Sequence, residues 1–103
     1  MKLLYRYEYG RGAFAHAILR RVQRTLYTLE DLFVVPHLRG RGIGTELLND
    51  VLNDADAYEV TLRLRAVPVD GRLAALERLI NWYASYGFVR TDTTKTTMIR
   101  YPQ

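Results

Sequence analysis

Arg39-Gly40-Arg41-Gly42-Ile43-Gly44 is the stretch of this chain whose residue types and spacing could do chemistry. Glycines let main-chain N–H groups approach a ligand with no Cβ in the way. Arg39 and Arg41 add charges that fork onto phosphate oxygens. An apolar run, Leu32-Phe33-Val34-Val35, leads into the loop through a turn at Pro36-His37-Leu38. Thr45-Glu46-Leu47-Leu48 then opens a helical pattern. Strand, glycine loop and helix in that order build an anion site. The first helical N–H groups are unpaired and carry the positive end of the helix dipole.

The spacing discriminates between anions. A Walker loop needs G-x-x-x-x-G-K-[ST], and no lysine follows Gly44. A dinucleotide loop needs G-x-G-x-x-G or A, and from Gly40 the last position falls on Thr45. That reading also wants an acid ending the next strand, where Arg63 and Arg65 stand. Arg39-x-x-Gly42-x-Gly44 instead resembles the [QR]-x-x-G-x-[GA] signature of the GCN5-related N-acetyltransferases, the GNAT superfamily. Leu32-Phe33-Val34-Val35-Pro36 resembles that family's fourth strand. Tyr83-Ala84-Ser85-Tyr86-Gly87-Phe88 resembles its Y-x-x-x-G-F, at the end of the last helix. The resemblance covers roughly residues 25–103, and the residues before them carry no family signature.

The resemblance implies a cosubstrate and a set of roles. Acetyl-CoA would bind with its pyrophosphate on the loop residues Arg39, Gly40, Arg41, Gly42, Ile43, Gly44 and Thr45. Main-chain groups of Leu32, Phe33 and Val34 would hold the pantetheine arm where the two central strands splay. Tyr83 would be the general acid that protonates the departing thiolate. Members that use a fourth-strand glutamate as base often place it eleven residues before the motif, which is Thr28 here. Glu30, two residues on and on the same face, is the candidate base; alternation puts Asp31 on the other face and ranks it second. A water chain without a side-chain base is the other option. The family's asparagine early in the last helix has no clear equivalent, and Asp70 is the nearest polar residue.

The elements that must position these groups follow from periodicity. Residues 3–9 alternate, with Leu3, Tyr5, Tyr7 and Tyr9 on one face, and predict a strand with a tyrosine row toward the core. Gly10-Arg11-Gly12 is a turn, and residues 13–22 alternate again, Phe14, His16 and Ile18 opposite Ala13, Ala15, Ala17 and Leu19. Residues 26–35 predict the third strand. Ile43, Leu47, Leu48, Val51, Leu52 and Ala55 then form one apolar stripe on a helix ending near 56–58. Residues 59–67 predict a strand with Arg63 and Arg65 outward, closing a βαβ unit. Asp70 is a candidate N-cap for a helix over 72–86, with Leu73, Leu76, Ile80, Tyr83 and Ala84 on its stripe, Trp82 half-buried and Gly87 as the C-cap glycine. Strands over 88–93 and 96–101 finish the chain. The expected fold is α/β (α+β): a GNAT-like mixed, mainly antiparallel sheet with splayed central strands and two main helices.

At 103 residues and 49% hydrophobic composition, one domain spanning 1–103 is expected. Cysteine is absent, and His16 and His37 have no partner at metal-ligand spacing, so no metal is expected and both read as structural or surface residues. No signal peptide or apolar run of membrane-spanning length appears, so the cytoplasm is the default. Net charge is +4, with thirteen arginines and two lysines. Compositional bias and a solvated face explain this before nucleic acid does, because basic and aromatic residues interleave poorly after the first strand.

The family usually carries two helices between its first two strands, where this chain has only Gly10-Arg11-Gly12. The chain therefore looks like a miniature member with an open acceptor side. It resembles small acetyltransferases of phages and other mobile elements, some of which modify a lysine on a host or competing protein. The leading reading is acetyl transfer from acetyl-CoA to an amine such as a protein lysine, by a monomer or a homodimer. The alternatives are a small-molecule amine acetyltransferase, a non-catalytic CoA-binding regulator, and a basic nucleic-acid-binding domain.

Overall fold

The computed structural model describes residues 1–68 and 71–103. Its elements are β1 (Leu4–Glu8), β2 (Phe14–Gln23), β3 (Leu26–Val34), a short 3-10 turn (Pro36–Leu38), α1 (Ile43–Ala57), β4 (Thr61–Arg65), α2 (Leu73–Ala84), β5 (Val89–Arg90) and β6 (Thr97–Arg100). They form one six-stranded sheet of order β1-β2-β3-β4-β6-β5. β3 and β4 are its parallel pair, as a helical crossover between them requires, and the other pairs are antiparallel. The expected mixed, mainly antiparallel sheet with two helices is what forms. Both final strands are shorter than the threonine-rich pattern suggested. Among the described residues no helix is long and apolar enough to cross a membrane.

One sheet face is built to receive α1. Ala15 and Ala17 of β2 are fully buried, and their small side chains leave room for Leu47, Leu48 and Val51, which are also fully buried. The helical stripe read from the sequence is the core face of α1. The tyrosine row points the same way. Tyr5 is buried, and its hydroxyl donates to the Asp54 carboxylate on α1; Tyr7 is half-buried and does the same to Asp50. Tyr9 at the strand's end is exposed. Burial, reinforced by the Asp54 charge, raises the Tyr5 phenol well above its ordinary value, which keeps it a donor.

The C-terminal strand is tied to the end of α1 by one buried cation. Arg100 is only 4% exposed. Its guanidinium donates to both Asp56 carboxylate oxygens at 2.8 and 3.0 Å and to the Tyr86 carbonyl at 2.8 Å. The Gln103 backbone N–H donates to Asp56 as well, at 3.0 Å. The bonds from Arg100 above all hold the Asp56 carboxyl below its usual 3.8. A depressed carboxylate stabilises the fold above its unfolded pKa, and that contribution is lost as pH falls through the folded value. Arg100→Met is therefore expected to cost about 2 kcal/mol near neutral pH, since it strands a carboxylate and a carbonyl. It should also remove part of the acid-induced loss below about pH 4. Urea melts at neutral pH and at about pH 3.5 check both; a variant as stable and as acid-sensitive as the parent would contradict the assignment.

The Tyr83-to-Phe88 stretch ends α2 by a Schellman arrangement. The Phe88 N–H donates to the Tyr83 carbonyl at 3.3 Å and the Gly87 N–H to the Ala84 carbonyl at 3.1 Å. Gly87 takes φ +95°, the left-handed conformation such a closure requires. The Tyr83 and Phe88 rings meet edge to face at 5.5 Å, the apolar contact that accompanies it. Gly87 is thus the expected helix-ending glycine. Two other expectations for α2 change. Its inner stripe is Leu76, Leu79, Ile80 and Tyr83, while Leu73 and Ala84 are exposed. The helix-flanking position is Arg72, with no side-chain cap; Asp70, expected as the cap, lies outside the described residues.

Candidate active site

The glycine loop ends in an open helix start. Gly42 flanks α1 with φ +79° and ψ 7°, left-handed backbone, and no side chain caps the helix. The first helical bond runs from the Glu46 N–H to the Gly42 carbonyl at 3.0 Å. A Cβ built on Gly42 would meet no heavy atom within 4 Å, so the space over the helix start is open. A cavity of about 260 Å³ lies here, lined among others by Val34, Leu38, Gly42, Gly44, Thr45 and Trp82. Uncapped N–H groups, a dipole end and room outside them suit a phosphate. The residues present therefore fit the pyrophosphate of a coenzyme A thioester. Arg39 differs from expectation: its Nε donates to the Val34 carbonyl at 2.8 Å and its guanidinium lies 5.6 Å from the Phe33 ring centre. That side chain braces the loop against β3, which leaves the exposed Arg41 as the loop's outward cation.

Next to the loop the two central strands part. β3 and β4 pair from Leu26↔Thr61 only as far as Leu29↔Leu64. Beyond that, Leu32, Phe33 and Val34 pair with Ala17, His16 and Ala15 of β2 alone, leaving their other edge free of strand partners. A free edge offers main-chain donors and acceptors to an extended ligand. Two cavities fill the opening. One of about 500 Å³ is lined by Leu32, Val67, Leu79 and Tyr83 among others. A smaller one of about 140 Å³ shares those four and adds Glu30, Asp31, Leu64 and Arg65. The splay read by resemblance is present, and it brings Tyr83 of α2 and the acids of β3 to one crevice.

Tyr83 is buried to 8% exposure, with its ring centre 5.0 Å from that of Trp82. Its hydroxyl has no hydrogen-bond partner among the described residues, and no side-chain oxygen or nitrogen there is both sealed from solvent and unpaired. The phenol oxygen therefore opens into the crevice. Burial, with the Asp31 charge a smaller cause, pushes the phenol up to about 12. It stays protonated across the neutral range, as a proton donor must.

The acids do not obey simple alternation. Ile18 pairs with Asp31 but its neighbour Leu19 pairs with Leu29, so β3 has one extra residue, Glu30, against β2. This bulge turns both acids to the face away from α1. The Glu30 carboxylate accepts from Arg20 Nε, and the Asp31 carboxylate lies 2.7 Å from His16 Nε2. The expectation that Asp31 points to the opposite face from Glu30 is overturned by that bulge. His16, read as structural or surface, is bound to a residue of the crevice. The sequence carries no bulge signal here, because Leu29-Glu30-Asp31-Leu32 has neither glycine nor proline.

Comparison with known proteins gives a consistent result. The profile of the acetyltransferase (GNAT) domain matches residues 3–90. No curated protein matches the chain. Among solved structures, Ard1 from Thermoplasma volcanium superposes with TM-score 0.65 at 21% identity, over 88% of this chain and 69% of its own. The anti-CRISPR protein AcrVA5 does so with TM-score 0.63 at 21% identity, over 93% of this chain and 96% of its own. The PaiA N-acetyltransferase from Thermoplasma acidophilum, solved with coenzyme A, gives TM-score 0.56 at 18% identity over 86% of this chain; the chain spans only 52% of that protein. At these identities the likeness is one of fold.

Proposed function

Because this chain belongs to the GNAT family of acetyl-CoA-dependent N-acetyltransferases, we propose that it acetylates a macromolecular amine, a protein lysine in preference to a small amine. The observation that carries this is the uncovered sheet face. The β1–β2 link is a tight turn closed by the Tyr9 N–H on the Ala13 carbonyl at 2.8 Å. Nothing in that link can wall the acceptor side. The face carrying Phe14, His16, Ile18 and Phe33 stays partly exposed, Ile18 to 38%. A small amine needs walls to be held, whereas a folded protein brings its own surface. A small, mobile-element-like enzyme with a host or competing protein as target fits this reduced size, which the anti-CRISPR protein shares. The working unit is the single domain 1–103, as a monomer or homodimer in the cytoplasm.

Acetyl-CoA brings an activated acetyl thioester to the site. The loop residues 39–45 hold the pyrophosphate through main-chain N–H groups. Main-chain groups of Leu32, Phe33 and Val34 line up the arm along the free edge of β3. Tyr83 donates a proton on the sulfur side of the crevice, and Glu30 or Asp31 faces the entering amine.

The test is labelling. Incubation of the protein with acetyl-CoA and cell lysate, followed by mass spectrometry, should give one preferred acetylated protein. Efficient turnover of a polyamine or other small amine with no protein labelled would overturn the acceptor assignment.

A further inference from the structure

We propose that Arg65, with Lys95, selects acceptors by an acidic residue beside the target lysine: the amine enters the crevice, and the neighbouring carboxylate settles in the basic cavity next to it. The inference rests on the transferase reading above and names the class of protein segment it takes. The basic cavity, about 420 Å³, is lined by Arg65, Thr94, Lys95, Thr96 and Thr97, and no acid lines it. Arg65 also lines the smaller cavity of the crevice, with Glu30, Asp31 and Tyr83. The two spaces therefore meet at one guanidinium. Leu62 and Leu64 of β4 are buried in the core, so alternation puts Arg65 on the open face. Its guanidinium has no hydrogen-bond or ion-pair partner among the described residues, and neither has the Lys95 ammonium. Other arginines of that face are occupied: Arg20 holds Glu30, and Arg63 donates to Thr28 Oγ1 at 3.2 Å. Two free cations around a cavity without an acid attract an anion.

The wall that carries Lys95 is built in advance. Arg65 pairs with Thr97 of β6, and the Ala66 N–H donates to the Thr96 carbonyl at 3.0 Å, which ties the loop before β6 to the end of β4. Arg90 donates to the Thr93 and Lys95 carbonyls, both at 2.8 Å. Asp92, the loop's own acid, accepts from the Thr94 N–H and hydroxyl at 2.8 Å each, so its carboxylate is satisfied inside the loop. The Thr96 and Thr97 hydroxyls bond no described residue and can donate to an anion held by the two cations. The crevice itself has the opposite sign, since Glu30 and Asp31 line it. It receives an ammonium and repels a carboxylate, while the basic cavity does the reverse. A segment with a lysine and an acid within two residues, roughly 7 Å along an extended chain, carries both charges on one short span.

Peptides of one lysine, with aspartate or asparagine at each of the two positions on either side, test the assignment in the full chain. The parent should turn over the best aspartate peptide with kcat/KM about tenfold above its asparagine twin, the difference lying in KM. Arg65→Gln should bring that ratio to within about twofold, and Lys95→Gln should lower it severalfold. Arg65→Glu should turn the preference toward the asparagine peptide. A merely structural Arg65, or one that only tunes the crevice acids, would change kcat or the pH profile for both peptides alike and leave the ratio intact. Side-chain NMR gives a readout independent of turnover. Titration with the aspartate peptide, without acetyl-CoA, should move the Arg65 Nε–H and Lys95 methylene signals more than the asparagine peptide does. Equal kcat/KM for the twins at every position, an unaltered ratio in Arg65→Gln, or an Arg65 signal moved by short single-stranded DNA and not by the aspartate peptide would each overturn the proposal. A parent protein that neither binds acetyl-CoA nor acetylates any peptide would sink the transferase reading instead, and the titration would still decide the anion site.

Discussion

Gly42→Val is expected to weaken acetyl-CoA binding by about a hundredfold or more, roughly 3 kcal/mol, in a protein that still folds. The fold tolerates the side chain because a Cβ at this position meets nothing within 4 Å. Its cost to folding is conformational. At φ +79° a non-glycine residue sits in left-handed backbone, at roughly 1–2 kcal/mol. The same open space that spares the fold is where the pyrophosphate would rest on the uncapped N–H groups of α1. A branched side chain there keeps phosphate oxygens beyond hydrogen-bond distance, so the full set of charge-assisted bonds is lost. Calorimetry with acetyl-CoA on protein shown folded by its melt is the measurement. Undiminished affinity would count heavily against the loop as the cofactor site.

What could be read in advance was what the chain encodes locally. Strand, glycine loop and helix over residues 32–48 are specified by neighbours in sequence. So is the close of α2, where Tyr83, Gly87 and Phe88 sit at the spacing of a Schellman closure. The alternation of β2 was readable because Ala15 and Ala17 mark the face that α1 must approach. What could not be read depends on a partner strand. Glu30 and Asp31 turn to the same face because Leu19 pairs with Leu29 while Ile18 pairs with Asp31, and register belongs to the pair. His16 meets Asp31 through that same shift. Arg39 illustrates the other limit: a cation in a phosphate loop need not face the phosphate when a carbonyl such as that of Val34 lies 2.8 Å away. The rotation of α2 that exposes Leu73 was hidden because several apolar residues compete for one stripe.

Tyr83→Phe should lower kcat and kcat/KM together, by about a hundredfold or more. That corresponds to roughly 3 kcal/mol of transition-state stabilisation. Replacement by phenylalanine keeps the ring against Trp82 and Phe88, so packing is retained. The hydroxyl has no partner among the described residues, so its removal breaks no bond of the fold. Stability should change by no more than about 0.5 kcal/mol. This separation makes the variant informative, because a loss of turnover in a protein of unchanged stability is then assigned to the hydroxyl. With its pKa pushed up to about 12, the phenol is protonated throughout the neutral range, so the proton is in place when a thiolate develops. Equal losses in kcat and kcat/KM mark an interaction made only in the transition state. A rise in KM alone would instead make Tyr83 a binding residue. The experiment is steady-state kinetics, acetyl-CoA calorimetry and a melt on one preparation. Parental kcat would end the general-acid assignment while leaving the transferase reading intact, since water can also deliver a proton to sulfur.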